Sequence, residues 1–401
     1  MLINFTVGNF RSFKEKKTLS MEASSITELK ERVITKGKHK LLPSAVIYGA
    51  NSSGKSNLII AIAKFRNLIM NSTKLNSTDS LNIEPFLLNP NTEKEPSYFE
   101  IELFIDNNIY RYGFLADSKK IYEEWLYERK DGKGREKCLF IRTEEGIGVE
   151  KYFKEGEGLE DKTRNNALFL SLVDNNNGYI SKKVFFEISS LFPVSGIDHD
   201  IVNNNSIESY CDLYIEYKTS IEDILKMFDL GFNDFKIPSD VEITKKVKSY
   251  TTHNKYDNKG NIIGDTIFNM RYNESSGTNK LFDLMIFICA SLRYGNTLIV
   301  DELDAKLHPI LTRKIISLFN NSESNPNNAQ LIFATHDTNL LSTKIFRRDQ
   351  IWFTEKDKTE ATDLYSLVEF KEPDGTKVRK DNSFEKDYIN GRYGAIPYVK
   401  N

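Results

Sequence analysis

The chain has 401 residues, enough for one large domain or two smaller ones, and its 39% hydrophobic and 28% charged residues are those of an ordinary globular protein. A formal net charge of −2 excludes a globally basic, nucleic-acid-like footprint, and a mean hydropathy of −0.46 without a long apolar run excludes a membrane-spanning helix. The opening MLINFTVGNFRSF has no basic stretch leading into an apolar one, and Cys138, Cys211 and Cys289 lie too far apart for a disulfide framework or a zinc site, so a cytoplasmic protein with no membrane partner is expected.

In chain order, residues 2–8 and 16–22 read as a hairpin turning at Asn9 to Glu15. The run Ser44 to Tyr48 is a short buried strand, followed by a glycine-rich turn and an apolar-periodic helix from Lys55 to about Met70. Residues 97–105 and 108–118 form a second hairpin, with further strands to about Glu145, and 154–178 reads as a polar loop with an apolar insert at Ala167 to Val173. A helical region from Lys182 to Phe228 is expected next, broken near Pro193 and Asn203–Asn205, and then a hairpin of 240–252 and 261–271 turning at Asp257 to Gly260. From Gly277 the order helix, strand (Thr297 to Val300), helix (Pro309 to Phe319), strand (Leu331 to Ala334) is that of an α/β sandwich. No internal repeat or sustained heptad is found, and the basic runs Lys245 to Lys248 and Arg347–Arg348 read as solvated faces. Residues 372–401 form a polar, tyrosine-bearing tail without a readable fold.

Three constellations carry chemistry. Residues 49–56, GANSSGKS, match GxxxxGK[ST] between a strand and a helix. Glycine lets the backbone N–H groups curl round phosphate, Lys55 places charge on the β and γ phosphates, and the Ser56 hydroxyl suits Mg²⁺. The strand TLIV delivers Asp301 and Glu302 at its C-terminal edge, Asp301 for the Mg²⁺ shell and Glu302 to polarise an attacking water. Next, LIFA ends at Thr335-His336-Asp337, where His336 is placed to contact a γ-phosphate. Before the acidic strand, Asn273-Glu274-Ser275-Ser276-Gly277-Thr278 opens a helix; the local pattern fits a plain N-cap and a second phosphate cradle equally well.

Taken in order, Asn9-Phe10-Arg11-Ser12-Phe13, GANSSGKS, NESSGT, TLIVDELDAKLHP and ATHD resemble the ABC-type ATPases of the SMC, RecF and OLD group. The resemblance implies an α/β fold: an ABC-type P-loop ATPase head with a β-rich N-terminal lobe and an inserted helical and hairpin region. It implies that ATP and Mg²⁺ are held by Gly49, Asn51, Ser52, Ser53, Gly54, Lys55, Ser56 and Asn57, with Arg11 approaching in cis and Ser56 and Asp301 on the metal. Lys55, Glu302 and His336 would carry hydrolysis, Ser275, Ser276 and Gly277 would cap the nucleotide of an opposite subunit, and Asp304 to His308 would cross the dimer interface. PFLLNP, YRYGF, FRRDQIWFTEK and FEKDYINGRYGAIP are similar to the small bacterial AAA-ATPase-like group of RloA and the AbiLi abortive-infection proteins. That group is associated with phage defence beside a separate effector of the RloB/AbiLii kind.

The chain departs from the wider group in Ser276, where transport ABC proteins have glycine, and in lacking SMC-like arms. No glutamine equivalent to the Q-loop is assigned, and the residues after His336 show no Glu plus DxD set of a nuclease. The expected organisation is an N-terminal lobe (1–150), an inserted region (151–269), a C-terminal lobe (270–370) and a tail (371–401). The expected function is a dimeric ATP-hydrolysing switch controlling an effector, with a RecF-like ATP-gated DNA-binding protein as the alternative. The tail motif is left open between packing on the core and binding a partner.

Overall fold

Alternation of buried and exposed side chains builds the first sheet, and uninterrupted burial builds the second. The computed structural model describes residues 1–401 apart from Lys133, 196–215, Tyr217, Met227, Asp229, 237–249, Pro373, Asp374 and 398–401. Cys211, the Asn203–Asn205 break, the run Lys245 to Lys248 and residues 240–249 of the expected hairpin lie outside the described residues.

Strands β1 (Leu2–Gly8) and β2 (Lys17–Ser20) form the expected hairpin, and the short β3 (Ile34–Lys36) and β4 (His39–Leu41) pair beyond it. The fully buried β5 (Ser44–Gly49) then runs into helix α1 (Lys55–Asn71). Strands β6 (Ser97–Ile105), β7 (Asn108–Ala116), β8 (Ile121–Lys130), β9 (Lys137–Thr143) and β10 (Gly146–Val149) meander back onto β1. The resulting antiparallel sheet has the order β10-β9-β8-β7-β6-β1-β2 among the described residues.

Helices α2 (Phe169–Asn175) and α3 (Tyr179–Ser189) lead into β11 (Leu191–Ser195), then α4 (Lys218–Lys226). A separate antiparallel sheet is made of β12 (Asp234–Lys236), β13 (Tyr250–Tyr256) and β14 (Ile262–Asn269). The one-turn α5 (Met270–Asn273) precedes α6 (Ser276–Tyr294), β15 (Thr297–Asp301), α7 (Pro309–Asn320) and β16 (Gln330–Ala334). Finally come β17 (Ile351–Lys356), β18 (Thr362–Ser366) and α8 (Phe384–Ile389). The second sheet has the order β11-β15-β16-β5-β17-β18, parallel throughout except for β18.

Both faces of this second sheet are covered. Ala45, Ile47, Ile299 and Ile332 face one core with α1, while Val46, Tyr48, Val300 and Phe333 face another with α6 and α7. Helix α1 buries Leu58, Ile62, Phe65 and Ile69 between the two sheets. The Phe65 ring stacks on Phe114 at 5.4 Å and meets Phe5 edge-on at 5.7 Å. A second tie lies nearby. Fully buried Glu124 accepts hydrogen bonds from the N–H groups of Phe169 and Leu170 at 2.7 and 3.0 Å and from the Tyr112 hydroxyl at 2.9 Å. It thereby caps α2 with a carboxylate that the helix dipole favours.

The structure differs from the sequence expectation in five places. The run Arg347–Arg348, read as a solvated face, is not one: Arg347 is buried, its guanidinium on Asp349 and on the Glu28 and Ser24 carbonyls. The region read as helical from Lys182 to Phe228 contains β11, in which Pro193 sits on an edge strand where its missing N–H costs no ladder bond. The stretch 154–178, read as loop, contains α2. Part of the 151–269 segment, read as an insert, belongs to the core: Phe169, Leu170, Val173, Val184, Ile188 and Leu191 are buried beside α1. Strands β17 and β18 were not anticipated.

The tail packs. Phe384, Tyr388 and Tyr393 are buried against Tyr48 and Phe353, and the Tyr365 hydroxyl donates to the Tyr393 carbonyl at 2.7 Å. Tyr393→Ala is expected to lower unfolding free energy by about 3–5 kcal/mol, the range for emptying a large aromatic site. An unchanged urea midpoint would show that the tail does not contribute to the core.

Candidate functional site

The order β15-β16-β5 brings three strand tips to one edge of the parallel sheet, where the loops of an open α/β sheet converge. β5 ends at Gly49, β15 at Asp301 and β16 at Ala334, so the 49–56 loop, Asp301–Glu302 and Thr335–Asp337 leave the sheet side by side. Two backbone bonds fix their spacing, Thr335 N–H to the Ile47 carbonyl at 3.2 Å and Leu303 N–H to the Ala334 carbonyl at 3.1 Å.

The loop rests on the two strands that sequence reading missed. Gly54 has φ +114°, and a Cβ there would lie 2.3 Å from Thr362 Oγ1, so only glycine fits. Thr362 Oγ1 donates to the Ser53 carbonyl at 2.9 Å and lies 2.8 Å from Ser12 Oγ, while Ser53 Oγ and Thr354 Oγ1 are 2.6 Å apart. Asn57 Nδ2 also donates to Ser12 Oγ at 2.8 Å. Ser12 therefore joins the loop network. Arg11 instead pairs with Glu84, Nε to Oε2 at 3.1 Å. Asn51, Ser52 and Ser56 face outward, whereas Ser53 and Lys55 are buried.

Lys55 Nζ donates to the carbonyls of Gly49 and Ala50 at 2.8 and 3.0 Å. Burial pushes its ammonium below the ordinary value, against the pull of Asp301, Glu302 and Asp304. His336 is also held low, by desolvation and by the Lys55 charge, with the same three carboxylates opposing. Five of these groups thus share one field. The His336 N–H points to Asp304 Oδ2 at 3.4 Å, and Glu302 adopts φ +51°, which few non-glycine residues do.

Asp301 Oδ1 and Asp304 Oδ1 are shielded from solvent yet accept no hydrogen bond from the described residues. A shielded carboxylate oxygen without a donor is costly, and a hard cation satisfies it. Among the described residues no group of three or more His, Cys, Asp or Glu side chains could hold a metal. Mg²⁺ keeps several waters and is bound through one or two protein groups plus phosphate oxygens, and Asp301 would be one such group.

The Ser275–Gly277 segment lies at the start of α6, packed on the turn that follows Asp301. Ser275 Oγ accepts from Thr278 N–H at 3.1 Å and caps α6, and both Ser275 and Ser276 are exposed. A Cβ on Gly277 would lie 2.6 Å from the Lys306 carbonyl, so this glycine is required by packing within the chain. Glu274 meets His253 Nε2 at 2.7 Å and accepts from the Thr251 hydroxyl, tying the segment to β13.

Residues 44–342 match the family described as "AAA domain, putative AbiEii toxin, Type IV TA system". The chain belongs to this AAA family. Membership makes it an ATPase-type domain and implies nucleotide binding with Mg²⁺. No curated protein matches the chain. Among solved structures it is similar to the SMC head domain from Thermotoga maritima, at 12% identity over 91% of this chain and 98% of that one, with a TM-score of 0.41. It is also similar to an SMC head bound to the C-winged helix domain of ScpA (12%, 91% and 97%, TM-score 0.47). A third is an SMC head with an extended coiled coil bound to the C-terminal domain of ScpA derived from Pyrococcus furiosus (13%, 91% and 96%, TM-score 0.38).

Sequence reading missed Thr354 and Thr362 under the loop and Lys280 on α6, and Asp304, read there only as the start of the 304–308 interface segment, also lies beside His336. The alternation in Ile351 to Lys356 signals a strand, but nothing local signals what its threonines touch. The field at His336 is testable. Its imidazole should titrate below 6.5 and be neutral at pH 7. Lys55→Ala removes a cation that lowers the midpoint, so the midpoint should rise in histidine-ring NMR; an unmoved midpoint would show that the two groups do not share a field.

Proposed function

We propose that this chain is a cytoplasmic switch that hydrolyses ATP as a head-to-head dimer, and that it is the ATPase component of a bacterial anti-phage, abortive-infection system controlling a separate effector. The observation that carries the reading is the division of phosphate-binding groups between two places. Lys55, Ser56, Asp301, Glu302 and His336 gather at the sheet edge, while Ser275 and Ser276 stand exposed at the start of α6. A helix N-terminus is a ready anion site. With one P-loop per chain, the natural occupant of that second site is the γ-phosphate held by another protomer.

On this reading Lys55 and the N–H groups of the 49–57 segment bind the β and γ phosphates, and Ser56 and Asp301 would hold Mg²⁺. Bound Mg²⁺ supplies positive charge against the phosphate oxygens. The Glu302 carboxylate orients the attacking water and takes up its proton. His336, neutral at pH 7, makes one hydrogen bond to the γ-phosphate and loses it on hydrolysis. ATP binds the closed dimer better than the open one, and so biases that equilibrium. The effector assignment is supported by the resemblance of the 384–397 motif to RloA-type proteins and by the toxin system in the family's description.

Three variants separate the parts. Lys55→Ala should abolish binding of a fluorescent ATP analogue. Glu302→Gln should accumulate an ATP-bound dimer in size-exclusion light scattering, with turnover down about a hundredfold or more. Ser275→Arg should keep analogue binding and lose turnover. Normal turnover in Ser275→Arg would remove the composite site, and normal turnover in the first two variants would remove the mechanism.

A further inference from the structure

Helix α6 carries a lysine whose position is unlike that of a solvated surface cation. Lys280 lies one turn beyond Ser275–Gly277, and its side chain is buried at 4% exposure. Its ammonium donates to the carbonyls of Glu302 and Leu303, each at 2.9 Å, and to that of Ala305 at 2.5 Å. An ammonium has three N–H donors. All three go to the backbone of the turn that follows Asp301.

That turn needs holding. Glu302 and Lys306 both have left-handed backbones, φ +51° and +61°, each costing about 1–2 kcal/mol for a residue with a Cβ. Charge-assisted hydrogen bonds are about twice as strong as neutral ones, so three of them to one cation oppose that strain. The same turn is pressed against the helix start, because only glycine at 277 leaves room for the Lys306 carbonyl. Burial pushes the Lys280 ammonium down to about 8, with Asp304 and Glu302 opposing, so it still carries its charge and its three donors at pH 7.

We infer that Lys280 is a positioning residue, holding the Glu302 turn in its left-handed form and fastening it to the helix start that would meet a second protomer's nucleotide. The inference rests on the composite-site reading above. Its consequence is communication between the two sites of the dimer. When phosphate oxygens engage Ser275 and Ser276, any shift of the first turns of α6 moves three carbonyls of the turn that carries the same protomer's Glu302. With all three donors on carbonyls, the Lys280 ammonium has none left for a nucleotide. It should therefore govern the rate of the chemical step and leave nucleotide affinity alone.

The test uses the full chain with Lys280→Met, which keeps length and apolar bulk, and Lys280→Arg, which keeps charge and donors. Steady-state ATP turnover is compared with equilibrium binding of a fluorescent ATP analogue in Mg²⁺ buffer, folding being checked by circular dichroism. Lys280→Met should lower kcat about tenfold or more, with KM and analogue affinity within about twofold, and Lys280→Arg should recover kcat to within about threefold of the native value. A native kcat in Lys280→Met overturns the proposal, as does parallel loss of binding and turnover in the folded variant. If Lys280→Met does not fold, Lys280→Arg decides: unchanged affinity with kcat within threefold supports the role, and joint loss of both overturns it. Ser275→Arg is measured alongside. Normal turnover there removes the composite-site reading itself, whereas its loss beside a native Lys280→Met removes the lysine's role alone.

Discussion

Helix α1 is buried on both sides, and that burial decides where its first turn points. Phe65 is locked by the aromatic rings of the antiparallel sheet, and Leu58 and Ile62 belong to the core that continues onto Ile47, Ile299 and Ile332 of the parallel sheet. Each such side chain contributes about 1.5–3 kcal/mol by leaving water, so a helix held by several of them on two faces cannot tilt without exposing one. Its N-terminus is then fixed at the tip of β5, next to the tips of β16 and β15. Segments more than two hundred residues apart meet at the site because the helix between the sheets needs both of them.

The electrostatics follow from that placement. One buried lysine faces Asp301, Glu302 and Asp304, and the neighbouring histidine is held low by burial first and then by the lysine. Carboxylates outnumber cations at this edge, so a bare triphosphate would add charge of the sign already in excess. A divalent cation entering with it offsets part of that charge, and Asp301 Oδ1 and Asp304 Oδ1 are the shielded oxygens left without donors. On the proposed function this accounts for two features at once: the need for Mg²⁺ as companion of the nucleotide, and the neutral form of His336, which would otherwise pair with the carboxylates rather than the phosphate.

Much of this site was legible in the sequence because its chemistry sits at strand tips, where local pattern and function coincide. The GxxxxGK[ST] loop, the apolar run ending at Asp301–Glu302 and the run ending at His336 each combine a buried strand with polar residues in the next few positions. What stayed hidden has a common cause. Pro193 looked like a helix break, yet an edge strand accepts proline. Thr354 and Thr362 matter only because β17 lies beside β5, and no local period reveals a neighbour 300 residues away. Nothing local marks Lys280, because its acceptors are carbonyls, which every residue has. The Asn9–Phe13 turn was legible as a partner of the loop, but the contact runs through Ser12, since Arg11 is engaged by Glu84.

The two ends of the switch differ in how they are fastened. At one, Tyr48 in the strand before the loop packs on Tyr388 of the tail and donates to the Asp337 carbonyl at 3.1 Å, just beyond His336. At the other, Ser275 and Ser276 are exposed while Gly277 and Lys280 are pinned to the turn behind Glu302. A ligand shifts a two-state equilibrium only by its difference in affinity for the two states. In a closed dimer that difference arises at the exposed end, where water on the helix start is exchanged for phosphate oxygens. It can reach the reacting atoms only through something that moves as one piece with them. Of the contacts the structure holds there, the glycine approach and the three carbonyl bonds of Lys280 have that property, and on the proposed composite site the coupling would run through the backbone of this one turn.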